Sequence, residues 1–227
     1  MPNTNTNNFF GPFAGIFWTL LGWLNPKHWP GSYKLSGKPI PATFDLRPHL
    51  PPAFTQPDNE CVGFGVAGMV RALSRMPDPT DYSLLAMQIE HKARVYHGNP
   101  NGGTVKPREG LWAAIDMGLA SKSLRVANRR QDVMDAIANG HAVGMGFTAF
   151  HSFLDDGHLT PGAVVPMPTQ ADAKVKGHFG CLVGGNATHA CFRNNGGPSW
   201  GDNGHAWFPW EFVEDSKLTQ DLWTLVP

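Results

Sequence analysis

The sequence predicts an α+β protein, helical through its first half and built of short strands and long loops in its second. Up to about residue 140, apolar side chains return every three or four positions, the repeat of a helix with one buried face. Beyond it they gather in short runs bounded by Gly, Asn and Pro, as strands do. With 26 Gly and 20 Pro among 227 residues, the chain also has turns in quantity and little room for long helices.

The first helix is read in CVGFGVAGMVRALSRM, where Val62, Val66, Met69, Val70 and Leu73 form the stripe. Gly63, Gly65 and Gly68 are poor helix formers, so this helix needs tertiary support and is expected to pack backbone against backbone. Cys61 falls in its first turn, with Asp58 or Asn59 as the expected cap. SLLAMQIEHKARVYHG gives a second helix ending at Gly98, and PREGLWAAIDMGL a third from Pro107 to Gly118. RRQDVMDAIANG gives a fourth. HAVGMGFTAF, GHFGCLVGG, HACFRN and HAWFP then read as strands, and the Trp-rich end WFPWEFVEDSKLTQDLW most simply packs the last strand and tail on the core. No internal repeat is present.

At 227 residues the chain fits one large domain or two lobes sharing a cleft, and 41% hydrophobic against 16% charged residues describe a globular protein. Basic and acidic residues balance at 18 each, so there is no basic stripe for a nucleic-acid backbone and none is expected as a partner. Three cysteines cannot all pair within one chain, which points away from a disulfide scaffold and toward a reducing compartment, without excluding export. Residues 1–26 carry no charged side chain, and Phe9 to Leu24 is an apolar run of sixteen residues broken by Pro12 and three glycines. It lacks the basic start of a secretory signal and falls short of the roughly 20 apolar residues of a membrane span. The expectation is a segment packed on the protein's own body or a partner subunit, with an interfacial membrane contact as the alternative. The cytoplasm or a virion is the expected location. Pro26 to Pro41 reads as an extended arm.

A cysteine in the first turn of a helix is chemically unusual, because free backbone N–H groups and the aligned peptide dipoles favour its thiolate. As a nucleophile Cys61 needs a base, and the base needs a group to fix its tautomer. His178 opens an apolar strand, where a side chain can face a cleft, and Asn194 closes the next apolar run. Two neighbouring strands would bring imidazole and amide together. Asn195 stands beside Asn194, and either fits a turn.

The order Cys61, His178, Asn194, the FDLR segment before the cysteine and the closing RNNGGPSWGDNGHAWFPWEF resemble the papain-like cysteine peptidases, particularly compact bacterial and phage relatives. The likeness runs from about Pro41 to Val213 and includes REGLWAAIDMGL, ANGHAVGMGFTAFHSF and VVPMP. It implies a helical lobe over about 55–125 and a β-barrel-like lobe over about 126–227, forming a peptidase domain over 41–227 behind an N-terminal segment and arm over 1–40. It also implies a Cys61 nucleophile, a His178 base, an Asn194 orienting amide and a protein or peptide substrate in the cleft, with no cofactor. In that reading a Cys61 thiolate paired with protonated His178 attacks the peptide carbonyl.

Two departures bear on activity. The family's oxyanion-hole glutamine corresponds to Gln56, five positions before Cys61 where the family has six, and Pro57 replaces a Gly; Asn59 is the other candidate donor. The family's Asn-Ser-Trp-Gly is Asn194-Asn195-Gly196-Gly197, losing a Trp that shields the His–Asn pair, although Trp200 is kept. The expected result is a more exposed pair and lower or partner-dependent activity.

His178, Cys181, His189 and Cys191 also form a Cys/His cluster, but alternation along a strand turns His178 and Cys181 apart and no zinc site is expected. Cys181 and Cys191 read as core residues; His141, His151, His158 and His205 read as loop or surface residues. About forty residues before FDLR are too few for the family's helical prosegment, which with the apolar start points to a component of a phage particle or other assembly. The alternatives are a cell-wall peptide amidase and a papain-like scaffold with a structural role.

Overall fold

The computed structural model of the chain describes residues 23–75, 80–154, 159 and 162–227. The stripe beginning at Val62 becomes helix α1, Cys61–Ser74, every residue of which from Val62 to Ala72 is buried. Its glycines admit two neighbours at backbone distance. A Cβ on Gly63 would stand 2.4 Å from the Ala86 carbonyl oxygen, and one on Gly65 would stand 2.6 Å from the Phe179 ring. The first contact seats helix α2, Tyr82–His97, which ends as expected with Gly98 in the left-handed conformation at φ 82°. Helix α3, Pro107–Asp116, starts with its proline in the first turn, and Glu109 accepts the Lys106 N–H at 2.7 Å.

The second glycine contact sets α1 against a single sheet. Its strands are β1 Gly31–Ser32, β2 Phe44–Asp45, β3 Lys122–Arg125, β4 Val143–Phe150, β5 Lys174–Gly185, β6 His189–Arg193, β7 His205–Pro209 and β8 Thr219–Val226. Among the described residues the order is β1-β3-β8-β4-β5-β6-β7, with β2 beside β5. Strand β4 is antiparallel to β5 with Phe147 opposite His178, and antiparallel to β8 with Gly146 opposite Asp221. Helix α4, Arg130–Ala138, lies between β3 and β4 in the chain, α5 (His151–Leu154) follows β4, and α6 (Trp210–Glu214) follows β7.

The carboxyl end is more than a strand and tail. It forms α6 and then β8, which sits between β3 and β4 inside the sheet. Thr219 and Thr224 are fully buried there, their hydroxyls donating to the Phe212 and Ala142 carbonyls at 3.0 Å each. These bonds let polar residues occupy a core strand.

The arm packs on the body of the protein. His28 is 1% exposed and stacks on Trp112 at 5.0 Å, while β1 runs parallel to β3. Of the apolar run Phe9 to Leu24, only Trp23 and Leu24 lie among the described residues, 43% and 71% exposed. The expectation for the remainder lies outside the described residues, and none of the described helices is long and apolar enough to cross a membrane.

Candidate active site

Cys61 is the first residue of α1, and its helix has no side-chain cap of its own. Neither Asp58 nor Asn59 occupies the cap position, which falls on Glu60. The missing acceptor comes from another helix: Glu90 of α2, fully buried, accepts the Gly63 N–H at 2.8 Å. A carboxylate at that end offsets part of the favourable field that the helix offers a thiolate. Burial pushes Glu90 up to about 7, against the Gly63 hydrogen bond and the Arg94 charge, so near neutrality it is part protonated.

The opposite wall of the cleft is β5. Cys61, Val62, Gln56 and Asn59 face Gly177, His178 and Phe179 around a cavity of about 350 Å³. Thr104, Val105, Pro107, Gly146, Phe147 and Asp221 also line it. Burial raises the Cys61 thiol above its ordinary value, and the Glu90 charge adds to this. The Phe179 backbone N–H, the Lys176 ammonium and the residue's own N–H act the other way.

His178 is oriented as a tautomer argument requires. Its Nε2 lies 2.8 Å from Asn194 Oδ1, an atom that only accepts, so Nε2 carries the proton and Nδ1 keeps the lone pair. Burial pushes its pKa down to about 4 despite the Asn194 bond, and Lys176 adds to the fall. The partial burial of both groups works against a resting thiolate–imidazolium pair.

After the loss of a shielding Trp behind Asn194 the amide is buried and the imidazole half-buried, so the pair is exposed less than expected and on the histidine side only. Asn194 is 5% exposed, and His178 is flanked by Phe153 of α5 at 5.4 Å and Phe147 at 5.6 Å. Phe153 in turn meets Trp200 at 5.1 Å. Aromatic rings from β4 and α5, backed by the retained Trp200, therefore pack beside the imidazole. His205 is a second correction, for it lies on β7 and is only 7% exposed.

Gln56 lines the cleft, but its side-chain amide donates to the Asp58 carbonyl, which leaves one N–H for an oxyanion. Asn59 is exposed on the same wall. Cys181 and Cys191 are buried in β5 and β6, with pKa values pushed up by burial to about 11 and about 12. Sequence reasoning missed two groups here, Glu90 and Asn195. Asn195 is 3% exposed, and its side-chain amide donates to the Cys61 and Phe179 carbonyls. Both act across tertiary contacts, for which the local pattern holds no signal.

A scan against protein-family models finds no match, and a search of curated proteins finds none either. Solved structures do match. Xylellain, a cysteine protease from Xylella fastidiosa, superposes with a TM-score of 0.71 at 18% identity, over 87% of this chain and 91% of its own. Digestive procathepsin L 3 of Tenebrio molitor larval midgut gives 0.65 at 13% identity, over 93% and 78%. The bromelain protease of Ananas comosus, solved with an inhibitor bound, gives 0.53 at 15% over 83% and 100%. At these identities the likeness is one of architecture, and by it the chain has the α+β fold of the papain-like cysteine proteases.

Proposed function

We propose that the chain is a cysteine endopeptidase that cleaves peptide bonds through Cys61, His178 and Asn194. One observation carries this reading: one cleft is lined by a thiol at a helix start and an imidazole whose Nε2 is held 2.8 Å from an amide oxygen, leaving the Nδ1 lone pair free to accept a proton. The papain-like fold supports it.

In this mechanism His178 Nδ1 takes the proton from the Cys61 thiol as the sulfur attacks the substrate carbonyl carbon. The oxyanion receives hydrogen bonds from the Cys61 N–H and the remaining Gln56 N–H, with Asn59 as an alternative donor. Collapse of the tetrahedral intermediate breaks the C–N bond, and His178 returns its proton to the leaving amine. Water then attacks the thioester with His178 again as base, releasing the acid and restoring the thiol. Asn194 keeps the proton of Nε2 in place throughout, so that Nδ1 is always the nitrogen that exchanges.

The test is labelling with an epoxide thiol inhibitor, with the modified peptide identified by mass, alongside hydrolysis of casein. Cys61 is expected to be the labelled residue, because it is half-buried and lines the cavity whereas Cys181 and Cys191 are buried. Cys61→Ala should abolish both labelling and hydrolysis. A folded wild-type protein that takes up no label, or that hydrolyses casein equally well as Cys61→Ala, sinks the reading.

A further inference from the structure

The three residues that follow Phe192 each hold a different part of the cleft. Arg193 is 2% exposed and donates to the Pro51 and Pro52 carbonyls at 2.7 Å each, fixing the segment that leads to Gln56. Asn194 holds His178. Asn195 makes three bonds. Its Nδ2 donates to the Cys61 carbonyl at 3.1 Å and to the Phe179 carbonyl at 2.9 Å, and its own carbonyl accepts the Gln56 N–H at 2.9 Å.

We infer that Asn195 is a positioning residue, which sets the spacing of the Cys61 sulfur and the His178 imidazole by clamping the first turn of α1 to β5. The inference rests on the reading of Cys61 and His178 as the reacting pair. The wall it clamps is also joined by apolar packing, the Phe179 ring against Gly65 and the Cys181 sulfur against Gly68, which is non-directional. A carboxamide NH2 presents two hydrogens in a fixed fork. It can bridge two carbonyls only when they hold one separation, so the fork adds a directional register to that packing. The bridged carbonyls are those of the nucleophile itself and of the residue following the base. The same clamp keeps the Phe179 peptide, whose N–H favours the thiolate, beside the sulfur.

Asn128 offers a control of matching chemistry. Its Nδ2 also bridges two carbonyls, those of Val213 at 3.1 Å and Thr219 at 3.0 Å, and it lines no part of the cleft. The experiment compares Asn195→Ala and Asn195→Ser with Asn128→Ala and Asn128→Ser in the full chain. It reads thermal midpoint, kcat and KM on dye-labelled casein, and the pH profile of Cys61 alkylation by iodoacetamide.

Both pairs should lower the midpoint, since each leaves two carbonyls short of a donor. Only the Asn195 pair should lower kcat, by roughly 10- to 100-fold for a displacement on the order of 1 Å, with KM little changed. The same pair should move the alkylation midpoint to higher pH as the Phe179 N–H shifts away from the sulfur, and Asn195→Ser, which keeps one donor, should fall between wild type and Asn195→Ala. If Asn195→Ala does not fold, the two serine variants make the same comparison. Asn195 variants that match the Asn128 variants in kcat and in alkylation profile overturn the inference while leaving the peptidase reading intact. A wild-type protein whose Cys61 shows no selective alkylation and no turnover overturns both.

Discussion

A buried imidazole ties stability to pH, and His205 is the side chain in which this can be measured away from the chemistry. Its Nδ1–H donates to the Asn203 carbonyl at 2.9 Å, while Nε2 is buried with no hydrogen-bond partner among the described residues. Burial, with the Arg193 and Arg47 charges, pushes its pKa down to about 4 from a usual value near 6.5. Between those two values the unfolded chain binds more protons than the folded one. Stability is therefore full above about pH 6.5 and falls as pH drops toward 4, by at most about 3 kcal/mol for this residue. His178, also lowered to about 4, acts in the same direction. Glu90, raised to about 7, opposes them, since the folded chain holds its proton more tightly and stability falls as pH rises from about 4.5 to 7. Thermal midpoints measured from pH 7 to pH 4.5 should thus drop for the wild type and drop less for His205→Asn. Parallel curves for the two proteins would show that His205 contributes nothing to the acid limb.

Among the elements, α1 is the one whose composition looks least suited to its shape and most suited to its place. Glycine disfavours a helix by about 1 kcal/mol relative to alanine, yet Gly65→Ala should destabilise this one. The new Cβ would stand 2.6 Å from the Phe179 ring and 3.2 Å from the Gly180 Cα, so strand and helix must part. Overpacking of this kind costs roughly 1–3 kcal/mol. Because Phe179 follows His178, the strain should appear in catalysis as well, as a lower kcat on casein at a temperature where the variant is fully folded. A variant as stable and active as wild type would mean that the helix–strand contact is slack. This helix also shows what a sequence can reveal. Its stripe, its glycines and its cysteine are local and were readable, as were α2, α3, α4 and the cores of β4 to β7. Strand β3 was missed because four residues, KSLR, carry too short a pattern. Strand β8 was hidden because Thr219 and Thr224 interrupt its apolar alternation and are satisfied only by carbonyls distant in sequence. The site divides in the same way. Cys61, His178, Asn194 and Gln56 stand in a recognisable order, whereas the trans cap from Glu90 and the bridge from Asn195 exist only once α1 meets α2 and β5.

At the scale of the molecule, the described arm and the cleft lie on separate surfaces, and the arm's contacts show what it does. His28 stacks on Trp112 with its Nε2 3.0 Å from Asp116, and the Trp112 indole N–H donates to the His28 carbonyl at 3.1 Å. Farther along, the Tyr33 hydroxyl donates to Asp135 of α4 at 2.7 Å, and Ser36 donates to it through its N–H at 2.8 Å and its hydroxyl at 2.6 Å. The arm therefore fastens α3, β3 and α4 together, and none of the residues lining the cavity around Cys61 and His178 belongs to residues 23–44. A brace and a plug make opposite predictions. Removing the His28 ring loses a buried aromatic stack and a bond to a carboxylate, so His28→Ala should lower stability by about 2–3 kcal/mol. Hydrolysis of casein by the folded fraction should not change, because the arm reaches neither sulfur nor imidazole. The measurement pairs denaturant unfolding with kcat/KM at a temperature well below both midpoints. A rise in kcat/KM on loosening the arm would show that it restrains the cleft; a fall in stability at constant kcat/KM is the signature of a brace whose release is no step in activation.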